Sequence, residues 1–377
     1  MRAVDRLSER FATAVLRRQT RRSAALLLGR AAAGIWAALR AFDAADRPVL
    51  IPANTCYIVL WAALSAGARP VLVDTDPATG MITPESLDAA LDALNLCQPP
   101  AAVIPCHLYG LPAPMRAICA WAQPRGTPVI EDAAQAFGGE VDSRPLGAWG
   151  DASVFSFGSG KTLDLDLGGA LLTDDSALSD AISAHLAELP VYDEALAQLD
   201  AQWLDLYWAL HQHEDANRDL AALYAPLFAV YRPLTHYRAP AHIWRAAPAA
   251  LEALPAHLAH RAALADRYDA QFAALPGVRT LPRTPGAALW KYPLRVPAAD
   301  RDALLRHLWA SGIQEATRWY PSLQAMTHAL APQHVQPPTP NADALSSAII
   351  NLPVHPGVDA EEAGRIARVV LEFYDGG

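Results

Sequence analysis

Between residue 30 and about residue 175 of this 377-residue chain, short apolar runs that end on polar residues alternate with longer stretches rich in Ala and Leu. The runs "PVLIP" (48–52), "PVLVD" (70–74), "AAVIPC" (101–106), "PVIED" (128–132), "SVFSF" (153–157) and "GALLT" (169–173) read as strands. The stretches between the first four have helical periodicity, and two of them begin near Pro84 and Pro114, with proline at the first turn where its missing N–H is harmless. Strands alternating with helices predict βα units and a mostly parallel sheet. Residues 176–270 change character and become helical, aromatic and leucine-rich. Beyond "LPGV" (275–278), "ALWKYPLRV" (288–296) reads as a strand, "RDALLRHLWASG" (301–312) as a helix, and the last stretch as strand, loop and helix. The pattern divides the chain into a large α/β domain over residues 1–245, which includes an aromatic-rich helical segment at 181–245, and a connecting helix with a small C-terminal α+β domain over 246–377.

Composition narrows the function. With 52% apolar and 18% charged residues the chain has material for a substantial core, and a formal charge of -9 with a pI near 5.7 argues against nucleic acid as a partner, since a phosphate-backbone binder needs a basic surface. Cys56, Cys97, Cys106 and Cys119 have no C-x-x-C spacing, so neither a zinc site nor a disulfide scaffold is signalled, and a reducing cytoplasm is the expected location. No metal site is expected from the histidines either: His107, His211, His213 and His236 are scattered and read as structural. No apolar run approaches the roughly 18 residues of a membrane span. The Arg-rich opening "MRAVDRLSERFATAVLRRQTRR" lacks the apolar stretch of a secretory signal and reads as a solvated helix lying against the body.

The charged residues carry one anomaly. Of thirty Lys and Arg, only Lys161 and Lys291 are lysine. Lys161 lies just past "SVFSF", and Asp132 closes "PVIED"; in a parallel sheet both project into the crevice at the carboxyl ends of the strands. A primary amine condenses with an aldehyde, which a delocalised guanidinium does not do, so a retained lysine there has a chemical reason. Pyridoxal phosphate needs such an amine, a carboxylate to keep its pyridine nitrogen protonated, and donors for its phosphate. Ser156 lies five residues before Lys161, and "GRAAAGIWAAL" (29–39) opens a helix whose free N–H groups at Gly29, Arg30 and Ala31 can hold an anion, with the Arg30 charge added. Singly, each of these has a bland reading as strand-end cap, turn residue or surface lysine; together they point to this cofactor.

The motifs "GRAAAGIWAAL", "IPANT", "CHLYGLPAPM", "VIEDAAQAFGGEV", "LGAWGDASVFSFGSGKTL", "GGALLTDD" and "NLPVHPGVDAEEAGRIARVV" occur in the order that characterises the DegT/DnrJ/EryC1/StrS aminotransferases, and the chain resembles that family over most of its length. The resemblance implies a fold-type I enzyme with a seven-stranded-type, mostly parallel sheet, pyridoxal 5'-phosphate as cofactor, and a homodimer with shared active sites. It implies Lys161 as the lysine joined to the cofactor, Asp132 as partner of the pyridine nitrogen, Gln135 on the phenolic oxygen, Ala134 against one ring face, and Ser156 with the amides of Arg30 and Ala31 on the phosphate. The implied activity is transfer of an amino group from an amino acid such as glutamate to a keto-sugar, nucleotide-linked; another pyridoxal-phosphate reaction, such as dehydration or carbon–carbon bond chemistry, or a non-catalytic regulatory protein on the same fold are the alternatives.

The chain departs from the family pattern at four places. Cys56 stands where an aromatic usually stacks on the ring, with Tyr57 one residue later. Leu167 replaces an acid before Gly168 and Gly169, and Arg30 replaces a small hydroxyl residue. The Gly-x-Asn-x-Arg segment that reaches the partner's phosphate is not recognisable, with His236, Tyr237 and Arg238 as the nearest candidates in order. The large apolar residues Trp203, Tyr207, Trp208, Leu223, Tyr224, Phe228 and Tyr231 predict a helical face that must be covered, with a second subunit as the leading cover.

Overall fold

The stretch Ala24–Leu28, which the alternation passes over, is a strand, and it completes the sheet. The computed structural model describes residues 3–96, 98–213 and 221–375. Cys97 and the side chains of residues 206–224 lie outside the described residues, and with them Tyr207, Trp208, His211, His213, Leu223 and Tyr224 of the sequence reading. The chain runs α1 (Ala3–Thr20), β1 (Ala24–Leu28), α2 (Ala31–Ala41), β2 (Pro48–Pro52), α3 (Tyr57–Ser65), β3 (Arg69–Val73), α4 (Pro84–Ala93), β4 (Ala102–Val103), α5 (Met115–Ala122) and β5 (Ile130–Asp132). A short hairpin, β6 (Glu140–Val141) and β7 (Arg144–Pro145), leads to β8 (Ala152–Ser156), β9 (Gly169–Thr173) and α6 (Ser176–Ala187).

Two hydrogen-bonded groups of strands, β1-β9-β8-β5 and β3-β2-β4, join through a parallel bridge between Val103 and Val129, giving the order β1-β9-β8-β5-β4-β2-β3. Only β9 runs against its neighbours, so the sheet is mostly parallel, as the alternation of strands and helices predicts. Val49, Leu50 and Ile51 of β2 have no exposure at all, and burial of each such side chain contributes about 1.5–3 kcal/mol. The helix expected near Pro84 begins there: Thr83 caps it, Ser86 returns the bond, and Pro84 takes the first position. The N-terminal helix does lie against the body, burying Ala12 and Leu16 and pairing Asp5 with Arg245.

After α7 (Glu194–His213) and α8 (Ala221–Tyr231), the long α9 (Ala247–Phe272) leads to the second sheet. That sheet is antiparallel, in the order β10 (Arg279–Thr280), β11 (Tyr292–Arg295), β12 (Ile349–Leu352). Its β12 contacts α10 (Arg301–Ala310), α13 (Ala360–Asp375) packs on α9 and α10, α11 (Gln324–Leu330) lies against α8, and α12 (Pro340–Ala348) precedes β12. Trp203 and Tyr231 are buried against this chain's own α3: Trp61 lies 6.0 Å from Trp203, 5.6 Å from Phe228 and 5.0 Å from Tyr231, ring to ring. The aromatic face expected to meet a second subunit is, at these residues, covered from within.

Candidate active site

Asp132 and Ser156 are the last residues of two adjacent parallel strands, with Asp132 opposite Val154 in the register, so both stand at the carboxyl edge of the sheet. Their neighbours alternate to other uses. Glu131 is fully buried and accepts bonds from the amides of Gly147 (2.6 Å) and Trp149 (2.8 Å) and from His107 Nε2 (3.0 Å). Burial alone would raise the Glu131 carboxyl, but His107 and those amides hold it below its ordinary value. His107 accepts at Nδ1 from the Ala113 amide (2.9 Å), so it is a fixed part of the frame rather than a ligand.

Lys161 follows a turn in which its amide bonds to the Gly158 carbonyl (3.2 Å). Its ammonium lies 4.2 Å from the centre of the Trp290 ring, and among the described residues no hydrogen bond or ion pair holds it. Burial pushes its pKa down, against the fields of Cys56 and Asp132. Asp132 accepts from the Ala134 amide (3.0 Å) and from the Cys106 thiol (3.5 Å); burial raises its pKa, and the Ala134 amide and Lys161 work in the other direction. Gln135 is buried, accepts from the Tyr109 amide (2.7 Å) and donates to the Tyr320 hydroxyl (3.0 Å), while Ala134 beside it is half-buried. Cys56 caps α3 on the same side, its thiol pushed up to about 11 by burial despite Lys161. Tyr57 turns instead onto Trp61, at 4.5 Å.

Across from this cluster is the start of α2. Its cap residue Arg30 is extended and supplies no side-chain cap, so the first amides, Ala31 among them, stay open to an anion. Gly29 and Gly169 bring the backbone close: a Cβ on Gly169 would stand 3.0 Å from the Ala31 nitrogen, and one on Gly29 would stand 2.2 Å from the Tyr237 carbonyl oxygen. A cavity of about 280 Å³ runs from this helix end to Lys161, lined by Arg30, Ser156, Lys161, Asp200, Trp203 and Tyr231 among others.

The Arg30 side chain does not serve this cavity as a free charge. Nη2 donates to both oxygens of Asp200 (2.6 and 2.8 Å), Nη1 to Tyr231 (2.9 Å) and Nε to Tyr237 (2.8 Å). Burial works against the guanidinium, but the two phenols and the carboxylate hold its pKa above the ordinary value. The expected extra positive charge is therefore neutralised by a segment with which sequence spacing gives no link. Of the candidates for a contact across subunits, Tyr237 is held by Arg30, Arg238 is exposed with Nε on the Leu189 carbonyl (2.8 Å), and His236 meets Thr235 through Nδ1 (2.6 Å) while its Nε2 is buried without a hydrogen-bond partner among the described residues.

Sequence reasoning missed an aromatic wall beside Lys161 and Gln135. Trp290 and Trp319 stack at 5.3 Å and 4°, and Tyr109 and Tyr320 stack at 6.2 Å and 18°. Backbone bonds set this wall: the Trp290 amide to the Tyr109 carbonyl (2.8 Å), and the Leu323 amide to the Ala53 carbonyl (2.7 Å) at the end of β2. Gly110 makes the first approach possible, because a Cβ there would stand 1.9 Å from the Ala288 carbonyl oxygen. "LWKY" lies within the expected strand 288–296 and "RWYP" in no expected element, so neither signalled the stack.

A mostly parallel seven-stranded sheet with one antiparallel member and a small second sheet form the fold-type I architecture, with a lysine and an acid at its strand ends. The profile of the DegT/DnrJ/EryC1/StrS aminotransferase family matches residues 5–192 and 246–371, and the chain belongs to that family. It is 30% identical over 322 residues to the erythromycin biosynthesis sensory transduction protein EryC1 of Saccharopolyspora erythraea, covering 84% of this chain and 76% of that protein. It is 29% identical over 330 residues to a dTDP-3-amino-3,4,6-trideoxy-alpha-D-glucose transaminase of Streptomyces venezuelae, covering 86% and 76%. Among solved structures, an aminotransferase of this family from Brucella abortus superposes with a TM-score of 0.77 at 23% identity, covering 97% of this chain and 90% of that one. Helicobacter pylori PseC, an aminotransferase of pseudoaminic acid biosynthesis, superposes at 0.78 with 18% identity, covering 98% and 92%. The family match leaves out residues 193–245, the segment that supplies Asp200, Tyr231 and Tyr237.

Proposed function

We propose that this enzyme is a pyridoxal-phosphate-dependent aminotransferase that moves an amino group from an amino acid, glutamate foremost, to a keto-sugar carried on a nucleotide. The observation that carries the reading is the placement of Lys161: a half-buried amine that, among the described residues, no hydrogen bond or ion pair holds, near Asp132, at the far end of a cavity from an uncapped helix start. The residues present suit the cofactor's three demands. Ser156 and the amides of Arg30 and Ala31 would hold its phosphate, Asp132 would keep its ring nitrogen protonated, and Gln135 would reach its phenolic oxygen, with Ala134 and Cys56 toward the ring. When bound, pyridoxal phosphate supplies an aldehyde for the amine and a ring that delocalises electrons.

Lys161 contributes the amine first and then, once displaced, takes the proton from the donor Cα and returns it. Its lowered pKa favours the neutral form that both roles need. A sugar acceptor is favoured by the transaminase named for its dTDP-linked amino sugar, among the relatives above. The family also makes a homodimer with shared sites the expected assembly, and the cytoplasm the expected location. Among the described residues no helix is long and apolar enough to cross a membrane.

Borohydride reduction of the purified protein followed by peptide mapping tests the assignment. A reduced cofactor adduct on Lys161 supports it; an adduct on Lys291, or one that still forms in Lys161→Arg, overturns it. Incubating the pyridoxamine-loaded protein with a panel of nucleotide-linked keto-sugars, and watching which one restores the long-wavelength absorbance, tests the acceptor.

A further inference from the structure

The chain has one other lysine, and the structure brings it to the same pair of stacked rings as Lys161. Lys291 follows Trp290, and its Nζ lies 5.9 Å from the centre of the Trp319 ring. Trp319 stacks on Trp290, over which Lys161 lies at 4.2 Å. Both lysines of a chain with twenty-eight arginines therefore face one tryptophan pair.

Lys291 is mostly buried, and among the described residues no hydrogen bond and no ion pair within 4 Å holds its ammonium. The opposite charge that reaches it is Glu315, and that carboxylate is already bound to His355. Arg261 adds positive charge from behind, almost fully buried, with Nη1 on the Trp290 carbonyl oxygen (2.8 Å). A buried ammonium without a partner is unfavourable, so the site favours an incoming anion. Neither Arg30, at the cavity, nor Arg261 is available to a ligand: Arg30 is bound to Asp200, and Arg261 is covered.

An amino donor needs a cation near Lys161, because its carboxylate shares a carbon with the amine that reacts. We propose that Lys291 binds the α-carboxylate of the amino donor, with the Trp290–Trp319 pair as the surface on which the donor lies. This rests on the aminotransferase reading of Lys161 and goes beyond it, naming the residue that selects amino acids as donors. A single compact ammonium suits a position this enclosed better than a broad guanidinium fork, which accounts for a second lysine in an arginine-biased chain.

The test uses the cofactor-loaded protein and whichever of L-glutamate, L-glutamine and L-alanine reacts fastest. Lys291→Met and Lys291→Gln should raise the half-saturating donor concentration by about 10-fold or more, as expected when a charged hydrogen bond is lost, with the limiting rate little changed. Lys291→Arg should recover part of the affinity. Binding of α-methyl-L-glutamate, which has no α-proton to lose, should weaken in parallel when followed by tryptophan fluorescence. The proposal is overturned if both charge-removing variants bind donor as the parent does, or if only the half-reaction with the keto-acceptor is affected, which would assign Lys291 to an acceptor anion. A parent protein that traps its cofactor on Lys161 and turns over, yet shows no donor shift in the variants, defeats the Lys291 assignment alone; a parent that traps nothing on Lys161 defeats the aminotransferase reading with it.

Discussion

The cluster at the strand ends and the cap formed by residues 193–245 meet at the same cavity but are built in different ways. Asp132, Ser156 and Lys161 are placed by strand register and one turn, so each is fixed by residues within a few positions of itself. The cap is placed by contacts between distant segments: Arg30 to Asp200 spans 170 residues, and Arg30 to Tyr237 spans 207. The first region falls inside the family match and the second outside it. Where the backbone sets the geometry, chemistry can be read from order and spacing; where one ion pair and a ring cluster set it, only the folded chain shows it.

The largest effect should come from the first region. Lys161→Arg keeps the charge, yet guanidinium does not condense with an aldehyde, so on the proposed function the covalent link should vanish and turnover should fall by more than about 10⁴-fold, since that reading also gives Lys161 the proton transfer. Borohydride trapping and steady-state rates measure the two losses. A slightly smaller loss is expected for Asp132→Asn, which should keep the cofactor bound and lower turnover by several orders of magnitude if, as proposed, Asp132 is the carboxylate that keeps the ring nitrogen protonated. Near-normal turnover in that variant would remove Asp132 from the site and leave the strand-end region with a frame role only.

The same contrast explains what was legible beforehand. Six strands of the main sheet show in the sequence because each is a short apolar run bounded by polar or turn residues, within a residue or two of its observed limits at β2, β3, β8 and β9. The seventh, β1, was hidden because "SAALLL" sits between two helical patterns and its leucines fit either period. Gln135 and Asp132 were legible from "EDAAQA", whereas the pairing of Gln135 with Tyr320, 185 residues on, was not. The role of Arg30 was misjudged for that reason: local reasoning sees a cation at a helix start, and its neutralising partner lies on α7.

The cap can be tested with a milder change. Asp200→Ala removes the carboxylate from a pair whose side chains are 28% and 25% exposed, leaving Arg30 with its two phenols. Loss of a hydrogen bond between charged groups at this depth should weaken the cap by about 1–3 kcal/mol. The expected result is faster limited proteolysis within 193–245 and faster loss of cofactor on dialysis, with the Lys161 adduct still forming. If proteolysis and cofactor retention were both unchanged, the cap would be held by something other than this ion pair, and a second subunit would again be the leading cover.

The smallest effect concerns Lys291 and stability against pH. Burial, with Arg261 and Lys161 adding to it and Glu315 opposing it, pushes the Lys291 ammonium down to about 8, against an ordinary lysine value near 10.4. Below about 8 the lysine is charged in both folded and unfolded chains, and the folded chain carries the full penalty of a buried charge. Between there and the ordinary value the unfolded chain binds more protons, so this residue makes stability rise with pH; above that range the penalty is gone. Lys291→Met keeps an unbranched side chain against Trp319 and removes the charge. It should melt about 2–4 °C above the parent at pH 7, and the gap should close as the pH passes from about 8 to beyond 10.4. Added glutamate should narrow the gap at pH 7 as well, by supplying the parent with the carboxylate its ammonium lacks. A pH-independent gap would show that Lys291 is solvated rather than enclosed, and would take away the physical reason for an anion to bind there.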